Sequence, residues 1–169
     1  MESGIRKSVR LSGYDYSQPG AYFVTVCTAE KQCILSSISV GAIHESPCVK
    51  LTDMGLVVEE KILLLPGRYP RISVDRYVIM PNHIHLLLTF AEDGAIHESP
   101  LRALLPTAVG FMKINASKDI HRFAPAARLW QRGYYEHIIR GKEDYAARWR
   151  YIDENPARWA DDEYCLPTI

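Results

Sequence analysis

The sequence lacks any apolar run long enough to cross a bilayer. Ile62–Leu65 and Ile84–Phe90 are among its longest, and both fall far short of the roughly 20 residues a spanning helix needs. No secretory signal is expected either, because Met1–Arg10 has neither an apolar centre nor a cleavage site. A cytoplasmic protein without membrane contact is the expectation. Cysteines are few, at Cys27, Cys33, Cys48 and Cys165, and none forms a C-x-x-C pair. Free thiols in a reducing compartment follow, with Cys27, inside an apolar run, in the core. Net charge is missing too: 20 basic residues balance 20 acidic ones. That counts against a generally basic nucleic-acid binder, but the distribution is uneven. Arg102, Lys113, Lys118, Arg122, Arg128 and Arg132 share their stretch with one acid, Asp119, while acids gather in Asp53–Glu60 and Asp153–Glu163. A basic face on a neutral protein is compatible with this pattern.

What is present suits one domain. The 169 residues, 47% apolar and 24% charged, can bury a sizeable core. Ala21–Thr28, rich in β-branched and aromatic residues, reads as a strand. Thr52 or Asp53 caps a helix that reaches about Leu65 and stops at Pro66-Gly67, with Leu56, Val57, Ile62, Leu63 and Leu64 as its loosely matched apolar face. Ile72–Met80 is a second strand. Ile84–Phe90 is a third, and its nearly continuous apolar run predicts a central position covered on both faces. Leu101, Leu104, Leu105, Ala108, Val109, Met112 and Ala116 recur at helical spacing, and Pro106 places the start of the regular helix near itself, with its end near Ile120. Tyr134–Ile139 is a short fourth strand. Lys142–Asn155 is a closing helix that Pro156 ends, with Tyr145, Trp149 and Ile152 as its core stripe. Strand, helix, strand, strand, helix, strand and a last helix make an α+β, ferredoxin-like β-α-β-β-α-β sandwich with an added C-terminal helix.

Two features carry chemistry. His83 and His85 sit two apart on a strand, so both imidazoles face one way and can share a cation. The alternatives are two ordinary strand-end histidines or a structural zinc, for which further Cys or His ligands with suitable spacing are lacking. Tyr151 and Asn155 lie four apart on the closing helix, hence on one face. A tyrosine can attack a phosphodiester, leaving a phosphotyrosine and a free 3′-hydroxyl, if its high pKa is offset by a metal at the phosphate. Asn155 offers that metal a carbonyl oxygen. The competing reading makes Tyr151 a core aromatic and Asn155 a helix cap. His137 is either core or DNA-facing. Trp130, Gln131 and Arg132 can stack on and hydrogen-bond unpaired bases, and Lys113, Lys118 and Arg122 can follow a phosphate backbone. Packing and a solvated helix face are the plainer readings of the same residues.

Val78–Leu88 (VIMPNHIHLLL), Trp130–Arg140 (WQRGYYEHIIR) and Tyr151–Pro156 (YIDENP), with the N-terminal RLSGYDYSQPGAYFVTVCT, resemble the REP-associated tyrosine transposases. These are domesticated relatives of the HUH-type single-stranded insertion-sequence transposases. The likeness covers residues 10–159, within a single domain spanning 1–169. It implies the ferredoxin-like fold and a divalent metal, Mg²⁺ or Mn²⁺, of which imidazole suits Mn²⁺ better. It implies cleavage of single-stranded DNA at palindromic hairpins by a monomer or homodimer. His83 and His85 match the metal pair, Tyr151 the nucleophile, and Asn155 the third ligand, where related transposases carry Gln. Tyr134, Tyr135 and Tyr145 read as structural. A catalytically inactive hairpin-DNA-binding protein is the alternative. A small-molecule metal hydrolase is a third, and it lacks a clear fourth polar ligand.

One further feature is a repeat. Residues 41–47 and 94–100 are both GAIHESP, with unrelated flanks. Ala-Ile-His-Glu-Ser-Pro can be encoded GCG-ATT-CAT-GAA-TCG-CC, which, preceded by G, equals its own reverse complement. Two translated copies of a palindromic DNA element in tolerated loops would explain the repeat better than repeat architecture does. His44 and His97 are then passengers rather than metal ligands.

Overall fold

The structure, a computed structural model, describes residues 19–39, 47–91, 101–162 and 164–165, with no side-chain account of 101–103. Both GAIHESP copies fall outside these residues, apart from Pro47, as do His44, His97, the Arg102 side chain and most of the N-terminal lead-in.

The elements follow in order β1 (Gly20–Cys27), β2 (Ser36–Ser39), β3 (Cys48–Leu51), α1 (Asp53–Leu63), α2 (Leu65–Arg68), β4 (Ile72–Ile79), β5 (His83–Phe90), α3 (Leu101–Ile120), β6 (Tyr135–Ile138) and α4 (Gly141–Glu154), then a 3₁₀ helix over Asn155–Asp161. The main sheet is antiparallel in the order β4-β5-β1-β6. With β2 and β3 set aside as a separate two-stranded sheet, this is the ferredoxin-like arrangement expected from sequence.

β5 is covered on both sides, as its apolar run requires. Ile84, Leu86, Leu88 and Phe90 enter the main core with Val58 and Ile62 of α1 and with Ala108, Val109 and Met112 of α3. On the opposite face Leu87 packs with Phe23 and with Ile152 of α4. Strand alternation therefore puts His83 and His85 on the α4 side. All eight β5 residues but Thr89 are buried.

Several boundaries differ from the sequence reading. Pro66-Gly67 does not stop the first helix. The α-helix ends at Leu63, and Pro66 opens a further short turn at a position where its missing N–H costs nothing. The buried face of α1 is Gly55, Val58, Lys61 and Ile62, whereas Leu56, Leu63 and Leu64 are exposed. Gly55 is required, since a Cβ there would lie 2.0 Å from the Leu35 carbonyl oxygen. Pro106 does not begin α3 but lies inside it. It removes one backbone bond near the helix start, and burial of Leu105, Ala108 and Val109 offsets that loss. Pro156 ends α4 only as an α-helix, since the chain continues as a 3₁₀ turn that carries Trp159 toward β5. The β2–β3 hairpin was not expected from sequence. Among the described residues, no helix is long and apolar enough to cross a membrane.

Candidate active site

The β1–β5 register sets Cys27 opposite His83 and Thr25 opposite His85. The two imidazoles are buried, with their Nε2 atoms 3.0 Å apart and their ring centroids 4.5 Å apart. Hydrogen-bond accounting fixes one tautomer. The Asn82 amide nitrogen donates to the Lys31 and Tyr164 carbonyls at 3.2 and 2.7 Å. Its oxygen must therefore accept from His83 Nδ1, 2.9 Å away. His83 consequently carries its proton on Nδ1 and presents a lone pair at Nε2. His85 Nδ1 lies 2.9 Å from the Thr25 hydroxyl. A hydroxyl both donates and accepts, so His85 can also keep its proton on Nδ1 and offer Nε2.

The third polar group comes from the end of α4. Asn155 is buried. Its nitrogen donates to Asp162 Oδ2 at 2.8 Å, which fixes the amide orientation. Its oxygen, wholly buried, has no hydrogen-bond partner among the described residues. Such an orphan acceptor costs on the order of 1–3 kcal/mol unless a water or a cation takes its lone pair. Two imidazole nitrogens and one amide oxygen fit a divalent cation of the Mn²⁺ kind. Among the described residues, no group of three His, Cys, Asp or Glu is placed to hold a metal, and this amide is a further oxygen donor beside the histidine pair.

Electrostatics favour the metal-binding form of both rings. Burial drives His83 down to about 4, against the pull of the Asp162 carboxylate and the Asn155 amide. His85 is pushed well below its usual value by burial, then by His83 and Arg148. Neutral imidazoles are what a metal needs. The unfolded chain, with both rings near the ordinary value of about 6.5, takes up more protons than the folded one as pH falls. Stability of chelator-treated protein should therefore be level above neutrality and drop from about pH 6.5 toward 4. Urea midpoints across that range check this; a midpoint unchanged down to pH 4 would contradict it.

Tyr151 stands beside this centre. Its ring lies 5.2 Å from that of His85 and 5.8 Å from Phe23, while Phe23 stacks on His85 at 4.9 Å. Tyr151 lines an open pocket of about 470 Å³ with Glu154, Asn155, Arg158, Asp161 and Asp162. The other tyrosines weighed from sequence stand apart from the pair. Tyr145 donates to Asp75 Oδ2 at 2.9 Å, and burial, then Asp75, push it up to about 12. Tyr135 is exposed on the edge strand β6.

Sequence reading missed the residues that surround the pair. Thr25 became visible only through strand register. Asn82, adjacent to His83, was inside the quoted motif but was given no role. Tyr164 lies 4.5 Å from His83 and 6.2 Å from His85, ring to ring, and Trp159 lies 6.0 Å from His83. Replacing Asn82 by Leu should weaken Mn²⁺ binding by about 10–100-fold, the usual effect of losing a supporting partner. Asn82→Asp, which keeps the acceptor, should lose less. Calorimetric titration reads both, and equal affinities in the two variants would refute the tautomer assignment.

The expected DNA-binding residues lie at the same end of the sheet but on the α3 side. Trp130 bridges to Thr28 and donates its indole N–H to the Lys113 carbonyl at 3.1 Å. Lys113 spends two of its three donors on the Gln131 and Gly133 carbonyls, at 2.8 and 2.6 Å. These two residues hold the loop before β6. Lys113, Lys118, Trp130 and Gln131 line one open groove of about 580 Å³, with Ile114 and His121. Arg132 is exposed beside it, and Arg122 pairs with Asp119 at 3.4 Å. His137 is neither core nor free, since it pairs with Asp144 of α4 at 2.8 Å.

No protein-family model matches the chain. An uncharacterized protein of Haemophilus influenzae is 29% identical over 171 residues, covering 94% of this chain and 92% of its own. Among solved structures, a REP-associated tyrosine transposase bound to a REP hairpin matches with a TM-score of 0.56 at 20% identity. That match covers 83% of this chain and 68% of the transposase. The chain thus has the fold of a REP-associated tyrosine transposase.

Proposed function

We propose that this protein is a metal-dependent single-stranded DNA endonuclease and strand transferase that acts at palindromic hairpin DNA through a 5′-phosphotyrosine. The observation that carries the proposal is the His83–His85 Nε2 pair, 3.0 Å apart, with the Tyr151 ring 5.2 Å from His85 and with Asn155, which acts on His83, lining one pocket with Tyr151. A hairpin-bound transposase of the same fold supports the choice of substrate.

In this reading His83, His85 and Asn155 would hold Mg²⁺ or Mn²⁺, whose chemistry is to withdraw charge from a phosphate oxygen. Tyr151 attacks phosphorus in line with the leaving 3′-oxygen. The Tyr–O–P bond forms, the P–O3′ bond breaks, the phenol proton passes to solvent in the open pocket, and the 3′-oxygen leaves as a hydroxyl. Attack of a 3′-hydroxyl on the phosphotyrosine reverses the step, and on another strand it completes transfer. Phe23 and α4 restrict the nucleophile's direction, and such orientation lowers the entropic part of the barrier.

The repeated GAIHESP supplies a probe. Written GGG-GCG-ATT-CAT-GAA-TCG-CCC, it holds arms GGGCGATT and AATCGCCC that pair around a CATG loop. Single-stranded DNA with this hairpin and flanking bases, incubated with Mn²⁺, should give a protein–DNA band that survives denaturation. Tight hairpin binding with no such band under any divalent metal would favour a binding protein that does not cut.

A further inference from the structure

Arg148 lies one turn before Tyr151 on α4, and both reach the same ring. Its guanidinium carbon is 5.4 Å from the Phe23 centroid, and Phe23 in turn contacts Tyr151 and His85. Arg148 Nε is tied to Asp144 Oδ1 at 3.3 Å. Asp144 is itself anchored, accepting from the Arg140 backbone N–H at 2.9 Å and from His137 at 2.8 Å. The carboxylate thus holds the arginine by one edge and the aromatic ring supports it. The two terminal nitrogens have no hydrogen-bond partner among the described residues, and the side chain is 35% exposed. A guanidinium offers donors and no lone pair, so it cannot itself ligate a cation. An oriented, partly exposed guanidinium with two unused donor nitrogens matches a phosphate.

Resting on the nuclease reading, we propose that Arg148 is a substrate-binding residue of the cleavage centre, holding a phosphate of the DNA strand at Tyr151. Asp144 and Phe23 are its positioning residues. The two terminal nitrogens face the non-bridging oxygens and stabilise charge there as the P–O3′ bond breaks. They would do so from the α4 side, while the metal donors approach from β5. The arrangement makes the nucleophile's own helix part of the phosphate clamp, so tyrosine and phosphate keep one geometry if α4 shifts.

The test has two arms. In otherwise unchanged protein, Arg148→Met should slow Mn²⁺-dependent adduct formation about 100-fold, the scale of losing one oriented donor. Arg148→Lys should recover part of that, since a point charge replaces a fork. In Tyr151→Phe protein, which leaves the DNA intact, Arg148→Met should reduce the slope of log affinity against log salt by about 0.7, one single-strand phosphate contact. Arg148→Lys should keep the slope. Arg150→Gln, on an exposed position two residues away, should change neither rate nor slope. An Arg148→Met protein with wild-type rate and wild-type slope overturns the inference, and so does an Arg150→Gln protein with the same losses. If no protein forms an adduct, the nuclease reading fails alone, and the slope still decides the phosphate contact.

Discussion

Replacing Tyr151 by Phe is expected to abolish the covalent protein–DNA adduct while leaving hairpin affinity within about twofold. The substitution removes one oxygen and keeps the ring that contacts His85 and Phe23, so packing of α4 on the sheet should persist. Loss of a nucleophile lowers turnover by about 10⁵-fold or more, well beyond any effect of one displaced hydrogen bond. Single-turnover assays resolved on denaturing gels, paired with equilibrium binding of the same hairpin, separate the two quantities. An adduct that survives at a measurable rate would move the nucleophile elsewhere. Tyr164 would then be the first alternative, because its ring sits 4.5 Å from His83.

The second large effect concerns the histidine pair. His83→Ala and His85→Ala should each weaken Mn²⁺ binding by more than about 100-fold, beyond the cost of losing a supporting residue, and should stop adduct formation. Removing either ring leaves one nitrogen donor and the Asn155 oxygen, too few for tight binding of a cation that prefers several ligands. The His83 variant also leaves the Asn82 oxygen without the donor it now has, at a cost of about 1–3 kcal/mol in folding stability. Metal titration by calorimetry or manganese resonance reads the first effect, and denaturant midpoints read the second. Wild-type metal affinity in either variant would place the cation elsewhere.

The elements that were legible in the sequence are those whose signal is local. The apolar run of β5 announced a strand buried on both faces, and the H-x-H spacing announced two rings on one side of it. Tyr151 and Asn155 announced a shared helical face. What stayed hidden depends on contacts between distant segments. Thr25 could be assigned to His85 only once the β1–β5 register was known, and nothing in an apolar strand marks one threonine over another. Asp162 and Tyr164 meet the site because a 3₁₀ turn follows α4, whereas Pro156 suggested that the helix simply stops. Lys113 looked like part of a phosphate-tracking face because charge pattern shows a lysine but not which carbonyls it reaches. Pro106 misled for a related reason, since propensity carries the loss of one backbone bond but not the gain from burying Leu105 and Val109.

The same distinction explains why the site is more informative than the fold. A ferredoxin-like sandwich hosts many activities, and the hairpin-bound transposase match, at 20% identity, shares architecture. The functional reading rests on a small set of atoms. His83 is locked in one tautomer by Asn82, the buried Asn155 oxygen has no hydrogen-bond partner among the described residues, and a tyrosine lines an open pocket with Asn155. Arg148 extends that set along the nucleophile's helix, and the repeat offers a DNA sequence on which to test it.

The most direct measurement is to map where DNA is attached. Wild-type protein is reacted with hairpin-bearing single-stranded DNA and Mn²⁺, digested with nuclease and protease, and analysed by mass spectrometry. A nucleotide 5′-phosphate linked to the peptide that contains Tyr151, absent when a chelator is added, is the predicted result. Cleaved DNA with no linked peptide, or a link at a different residue, would contradict the account.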